Sequence, residues 1–297
     1  MRIVIAGSSG YLGKPLMQAL ESVGEGHDIV RLVRHRPDEE NEILWDPYQG
    51  PLDPQILDGV DAVVNLCGVN VGGKRWNDAY KKRIETSRVI PTKVLAEAVA
   101  AAGVPAMVNG SAAGWYGDRA DVEVDESTPA AADFLGRLCL RWESATAPAE
   151  EAGARVVKLR TGHVLGPDSV LLDRFVPVWK CFLGGRFGSG RQYLPWISLR
   201  DWVNAAVTAI EDDSVRGPVN MVGPTPATNR EFTKALGAVV HRPTPWIIPG
   251  WAVKIVAGEA AIEMLRGAKI KPGALQANNF EYQDETVFEA LRYALHN

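Results

Sequence analysis

Glycines at positions 7, 10 and 13 punctuate the run Gly7-Ser8-Ser9-Gly10-Tyr11-Leu12-Gly13, directly behind the apolar stretch Arg2-Ile3-Val4-Ile5-Ala6. A strand that feeds such a turn and then a helix can hold a pyrophosphate. Gly7 permits the tight turn, Gly10 lets backbone approach the phosphates, and Gly13 lets the helix pack close to its strand. The helix N-terminus adds unpaired N–H groups and a partial positive charge, so Ser8, Ser9, Tyr11 and Leu12 join the glycines as the phosphate-facing set. In a chain with 29 glycines, spacing alone would mark an ordinary turn. The β-branched run before it and the helical spacing of Leu12, Leu16, Ala19 and Leu20 after it favour a dinucleotide site.

A second set of candidates stands about twenty residues further on, where a strand predicted over Asp28-Ile29-Val30-Arg31-Leu32-Val33-Arg34 would end against the adenosine ribose. An Asp or Glu there would bond the 2′-hydroxyl of NAD, whereas Arg34, His35 and Arg36 suit a 2′-phosphate. The competing reading is a basic strand end with no ligand. Charge-assisted hydrogen bonds of about 1.5–3 kcal/mol correspond to roughly a ten- to hundredfold preference for NADP(H), carried by Arg34 and Arg36.

Further along, Asp61-Ala62-Val63-Val64 reads as a buried parallel strand, and Asn65, Leu66, Cys67 and Gly68 at its C-terminal end leave room for a ligand to pass. Cys67 reads as a small space-filler rather than a nucleophile. The basic cluster Lys74, Arg75, Lys81, Arg83 and Arg88 precedes a helix predicted over Pro91 to Ala102. It is either a solvated face or a source of cations, with Arg88 for cofactor phosphates and Arg75 and Lys81 for an anionic substrate. The strand Ala106-Met107-Val108-Asn109-Gly110-Ser111 places a hydroxyl where open α/β sheets bind ligands, so Ser111 is a candidate donor to substrate, with a buried structural serine as the rival. Tyr116, five residues on, is the second catalytic candidate. With no cationic neighbour its pKa stays near 10, which suits a hydrogen-bond donor better than a base; a ring packed beneath the ligand loop is the alternative.

These residues need a doubly wound parallel α/β sheet to position them. The chain of 297 residues is long enough for that and a smaller lobe. A net charge of −4 argues against a nucleic-acid surface. Cys67, Cys139 and Cys181 are odd in number and far apart, indicating a reducing, cytoplasmic setting and neither a disulfide framework nor a thiolate metal site. The five histidines have no metal-ligand spacing, so no metal is expected. The N-terminal apolar run is too short for a secretory signal. The stretch from Trp246 to Leu265 carries Pro249, Lys254, Glu259 and Glu263, so it reads as amphipathic helices and not a membrane span. A small-molecule substrate is the expected partner, and the assembly is left open between monomer and homodimer.

Taken together, the motifs resemble the extended short-chain dehydrogenase/reductase superfamily, most strongly an atypical branch of epimerase-family proteins sometimes labelled nucleoside-diphosphate-sugar epimerases. The likeness rests on Gly7 to Gly13, Asn65 to Gly68, Arg75-Trp76, Ser87-Arg88, Ser111 to Gly117, Trp142-Glu143, Leu159 to Gly162, Gly184 to Gln192, Trp196-Ile197 and Gly217 to Asn220. It continues into a small C-terminal domain of unknown function. The resemblance implies an NADP(H)-binding Rossmann-like domain over 1–167, with contributions from about 197–222, and a mostly helical substrate lobe from 168–196 and 223–297. It also places His163 and Val164 at a turn that contacts the nicotinamide, where main-chain groups would read the carboxamide.

The resemblance exposes a gap. The superfamily pairs a catalytic Tyr with a Lys four residues later, and none of the seven tyrosines here has that partner. Aligned on Glu143, the two positions hold Leu135 and Cys139. A positioned acid–base group contributes about 10²–10⁴-fold, so the usual mechanism would be badly weakened. The expected function is therefore an NADP(H)-dependent oxidoreductase or epimerase-like enzyme acting on a small, anionic or nucleotide-sugar-like substrate. A non-catalytic NADP(H)-binding sensor or interaction protein is the alternative. The segment after Phe182, with Arg186, Arg191 and Gln192 among glycines, suits closure over a ligand, or else a plain surface loop. Ser198 is a plausible helix N-cap with Asp201 in the first turn, and helices are predicted around 229–240, 250–266 and 284–295. Trp246, Trp251 and Phe280 are expected to bury the small lobe against its neighbour.

Overall fold

Every second residue of the first strand, β1 (Arg2–Ala6), buries on the same face, and both faces are apolar. Ile3 and Ile5 pack with Leu16 and Leu20 of α1 (Gly13–Ser22) and with Trp202, Ala206 and Ile210 of the helix Leu199–Glu211. Val4 and Ala6 pack with Leu95 and Val99 of α2 (Asp78–Ala102) on the other side. A strand buried on both faces belongs in a helix-covered parallel sheet. The computed structural model, which describes residues 1–22 and 26–296, has that sheet.

Its seven strands are all parallel. They run in the order Gly217–Met221, Arg155–Thr161, β5 (Ala106–Ala112), β4 (Ala62–Asn65), β1, β2 (Asp28–Val33) and β3 (Glu42–Leu44). The order reverses between β1 and β4, which opens a crevice at their C-terminal ends. The sequence-predicted doubly wound fold is the observed one. Among the described residues, no helix is long and apolar enough to cross a membrane.

A separate apolar cluster, with Phe175, Trp179, Trp196, Phe232 and Leu291 at its centre, forms the lobe beside the sheet. Its helix Asn229–Val239 starts at a reciprocal cap between Thr228 and Glu231. Ser198 caps the helix Leu199–Glu211 by accepting from the Asp201 N–H. The fully buried Asp201 carboxylate accepts the N–H groups of Gln283 and Asp284, at 2.8 and 3.1 Å. Asp201 thereby ties the C-terminal segment to the start of the helix Leu199–Glu211.

Four local expectations need correction. Helix α2 begins at Asp78, not Pro91, because Asn77 caps it by accepting from the Tyr80 N–H; Pro91 lies inside the helix. The expected helix over 250–266 is broken at Gly258, whose φ of +61° ends the segment Gly250–Ala257 and lets Arg75 pack where a Cβ would stand. The chain after Phe182 keeps regular structure, with short strands at Gly185–Phe187 and Tyr193–Leu194. Trp246 and Trp251 are 55% and 67% exposed, so they do not bury the lobe; Phe280 alone of the three packs against the sheet core, edge-on to Tyr282.

Candidate active site

The glycine turn lies across the crevice, and its glycines are there for space. Gly7 has φ +88°, and a Cβ on it would stand 2.8 Å from the Leu66 carbonyl carbon, so the turn from β1 abuts the exit of β4. On Gly13 a Cβ would meet the Gly7 oxygen at 2.3 Å; on Gly10, the same oxygen at 3.2 Å. Among the described residues the Tyr11 and Leu12 N–H groups donate to no backbone carbonyl, while the Lys14 N–H is held by Gly10. Such a cradle fits a pyrophosphate.

Ser8 is buried, with Arg31 Nε at 3.5 Å from its hydroxyl, and Ser9 is exposed. The Tyr11 hydroxyl lies under Gly166, and burial pushes its pKa up. At the end of β2, Arg34 and Arg36 are exposed, and neither side chain makes a hydrogen bond or ion pair within the described residues. Arg31, which sequence reasoning passed over, is instead held by Glu39 and Glu42, both at 3.1 Å. His35, Asp38 and Glu42 bring ligand-type atoms within 4.8 Å of one another, but Glu42 is already occupied by Arg31 and the Asp38 N–H.

At the exit of β4, buried Asn65 donates to Thr92 Oγ1 at 2.8 Å and Asn109 Oδ1 at 2.7 Å, and accepts from the Cys67 N–H. This fixes the path of Leu66, Cys67 and Gly68 beneath the turn. Burial pushes the half-buried Cys67 thiol up to about 12, in keeping with an inert packing role. Arg88 lies against Gly68; its guanidinium donates to the Val69 and Ile84 carbonyls and covers the Trp142 ring at 5.1 Å.

Beyond Arg88 a cavity of about 240 Å³ opens at the C-terminal ends of β5 and of the strand Arg155–Thr161. Its walls are Ala112 to Gly114 after β5, Leu135, Leu138, Cys139 and Trp142 of α3 (Phe134–Ser144), and the Thr161-Gly162-His163 turn. Segment 262–270 roofs it. The charged or titratable side chains on the lining are Arg88, Asp133, Cys139, His163, Glu263 and Arg266. The His163 N–H donates to Pro195 at 2.7 Å, and the Val164 carbonyl accepts from Ser169. Burial lowers the His163 ring to about 4 and raises the Cys139 thiol to about 12. The positions aligned with the absent Tyr and Lys, Leu135 and Cys139, both face the cavity.

Ser111 and Tyr116 do not line it. Ser111 donates to Glu143 Oε1 at 2.6 Å, and the Glu143 carboxylate grips Arg160 through two contacts of 2.9 and 3.0 Å. The Tyr116 hydroxyl donates to Asn220 at 2.6 Å and accepts from Arg160 at 3.0 Å. Tyr116 is fully buried, and burial pushes its hydroxyl up to about 12. Both hydroxyls are committed to a network centred on Arg160, whose guanidinium also stacks on Trp115 at 3.7 Å. In this structure both hydroxyls hold the strand ends together, and neither is on the cavity lining.

The five residues expected to hold substrate do not line this cavity either. Arg75 donates to the Ile255 carbonyl and Lys81 pairs with Glu259, so they clasp the loop before α2 and the first turn of α2 to the lobe. Arg186 closes its own turn by donating to Gly188, and Arg191 is exposed, its N–H bonded to Ser189. Gln192 donates to Phe187 and Met264, both at 3.0 Å. In this structure the 184–192 segment is braced by bonds of Arg186 and Gln192.

The sequence pattern of the NAD dependent epimerase/dehydratase family matches residues 3–223, three quarters of the chain and all seven sheet strands. The chain belongs to that family. Residues 248–294 match a separate domain of unknown function. An epimerase family protein of Mycobacterium bovis is 48% identical over 98% of this chain and 97% of its own length. The structure of the human epimerase family protein SDR39U1, solved with NADPH, superposes with a TM-score of 0.90 at 31% identity, covering both chains completely. The nucleoside-diphosphate sugar epimerase of Corynebacterium glutamicum superposes with a TM-score of 0.80 at 33% identity, over 99% of this chain and 58% of that one. Within the epimerase/dehydratase fold, this chain has the glycine cradle at the end of β1, and Leu135 and Cys139 lie on the cavity lining.

Proposed function

We propose that this protein is an NADP(H)-dependent oxidoreductase acting on a compact carbonyl or hydroxyl compound. The observation that carries the reading is the cavity beside the His163 turn, which has apolar walls and carries the Arg88 guanidinium and the Glu263 carboxyl. The glycine cradle and the free cations of Arg34 and Arg36 fit a dinucleotide with a 2′-phosphate, and the NADPH-bound human relative supports the same choice. When bound, the cofactor would supply or accept hydride at its nicotinamide.

Arg88 or Arg266 would meet one anionic group of the substrate, and Trp142, Leu138 and Ile270 would cover its apolar part and exclude water. The cavity is smaller than the roughly 300–1,000 Å³ common for ligand sites, which favours a compact substrate over a nucleotide sugar. Arg186 and Arg191, bonded or exposed away from it, supply no diphosphate subsite there.

Single-turnover oxidation of bound NADPH against small ketones, aldehydes, quinones and nucleotide sugars tests this. Compact carbonyl compounds are expected to consume the dihydronicotinamide absorbance, and nucleotide sugars are not. A second reading, an NADP(H)-binding sensor without chemistry, is favoured by Leu135 and Cys139 at the pair positions and by the engagement of Ser111 and Tyr116 elsewhere. Tight NADPH binding with no turnover across the panel would establish it.

A further inference from the structure

We infer that Glu263, presented by the lobe, is the proton-transfer group of this cavity, taking the place of the missing Tyr/Lys pair. The inference rests on the oxidoreductase reading above. Glu263 sits on the short helix Ile262–Leu265 and lines the cavity together with Arg88, Leu135 and Cys139. It enters from the face that the second domain supplies, not from α3, where the superfamily's pair would stand.

The other titratable groups facing it fill different roles. Asp133, from the start of α3, accepts the Gly136 N–H at 2.9 Å and caps that helix. Arg266, just after Glu263, pairs with Asp118 at 4.0 Å. Cys139 stays a thiol and His163 a neutral ring across the neutral range, because burial moves their pKa values to about 12 and about 4. Arg88, from α2, has its guanidinium anchored on backbone carbonyls and exerts an electrostatic pull on Glu263. Burial raises the Glu263 carboxyl to about 7, against that pull. A carboxyl poised near neutrality can both give and take a proton at working pH.

The roof that carries it is held in place. Gln192 donates to the Met264 carbonyl, Lys81 pairs with Glu259, and Arg75 donates to Ile255. Gln192 thus fixes the helix that presents the acid, and the cations Arg75 and Lys81 hold the segment that leads into it. In the reducing direction the Glu263 carboxyl would give its proton to the carbonyl oxygen, while the cofactor, when bound, would supply the hydride that the carbonyl carbon gains. The products are an alcohol, the oxidised dinucleotide and a Glu263 carboxylate that solvent reprotonates. Oxidation runs the same balance backwards.

The test uses the full-length protein and Glu263→Gln, which keeps the shape but cannot exchange a proton, with Glu263→Asp as the conservative control. Carbon-13 NMR of protein labelled at glutamate side-chain carboxyls should show one resonance titrating near pH 7, lost in Glu263→Gln. NADPH affinity should be unchanged in both variants, which reports an intact cofactor site. With a substrate from the panel, single-turnover hydride transfer should fall about 10²–10⁴-fold in Glu263→Gln and lose its inflection near pH 7, with partial recovery in Glu263→Asp. Turnover in Glu263→Gln within threefold of the parent, with the same pH profile, overturns the inference and leaves the oxidoreductase reading intact. So does a Glu263 resonance that titrates with the ordinary carboxylates. No turnover by the parent with any compound instead removes the oxidoreductase reading, and the inference falls with it.

Discussion

Replacing Glu143 by Gln should destabilise the protein strongly while leaving cofactor binding intact. The Glu143 and Arg160 side chains are 7% and 3% exposed, and the carboxylate meets the guanidinium at 2.9 and 3.0 Å. It also accepts the Ser111 hydroxyl at 2.6 Å. Glutamine preserves the volume but strands the Arg160 charge and turns an amide donor toward other donors. Breaking one partner of a buried pair costs about 3–5 kcal/mol. Unfolding entropy near 2.1 cal/mol/K per residue gives about 0.6 kcal/mol/K for 297 residues, so the melting temperature should fall by about 5–8 °C. Differential scanning calorimetry measures it, and NADPH fluorescence titration serves as the control, because neither residue lines the cavity. The double variant Glu143→Leu/Arg160→Met should recover most of the loss, since an apolar replacement of a buried pair is often near neutral. A fall below about 2 °C, or lost NADPH affinity at an unchanged melting temperature, would refute the reasoning and return Ser111 and its neighbours to the reacting site.

Other outcomes follow from the same geometry. Ser111→Ala removes one hydrogen bond to a charged acceptor, about 1.5–3 kcal/mol, and should lower the melting temperature without changing NADPH affinity or single-turnover rate. Gly13→Ala puts a methyl 2.3 Å from the Gly7 oxygen; the turn must open, and NADPH titration should show binding lost while circular dichroism shows the sheet retained. Arg34→Asp should erase a ten- to hundredfold preference for NADPH over NADH, and equal affinities in the parent would contradict the role of Arg34. Glu263 is protonated in the folded chain up to about pH 7 but ionises near 4.5 when unfolded. The folded state therefore binds the extra proton, and the parent loses stability as pH rises from about 4.5 to 7. Urea unfolding should find Glu263→Gln more stable than the parent at pH 8 and similar to it at pH 4; the same difference at both pH values would exclude burial as the cause.

The Rossmann-like half was legible because its signals are local. Gly7 and Gly13 are demanded by a φ of +88° and by a backbone contact at 2.3 Å, and a strand buried on both faces announces itself as an apolar run. The active-site candidates were not legible in the same way. Ser111 and Tyr116 stand at the strand end where a ligand-facing hydroxyl belongs, but the residues that engage them, Glu143, Arg160 and Asn220, come from three distant elements. Arg75 and Lys81 are cations beside the crevice in sequence, yet their partners Ile255 and Glu259 lie about 180 residues away. Glu263 appeared in the sequence only as a charge interrupting an apolar stretch. A lone acid in the run Ala260-Ala261-Ile262-Glu263-Met264-Leu265 was the one available hint that something would face it.

The sequence by itself determined the parallel sheet, the glycine turn and the basic run after β2, because turn sterics, burial periodicity and helix dipoles act over a few residues. Which hydroxyls stay free, which cations become clasps and which carboxyl reaches the cavity were decided only by tertiary structure. Hydrogen-bond partners and desolvation depend on what the distant chain brings alongside, and no spacing along the sequence encodes that.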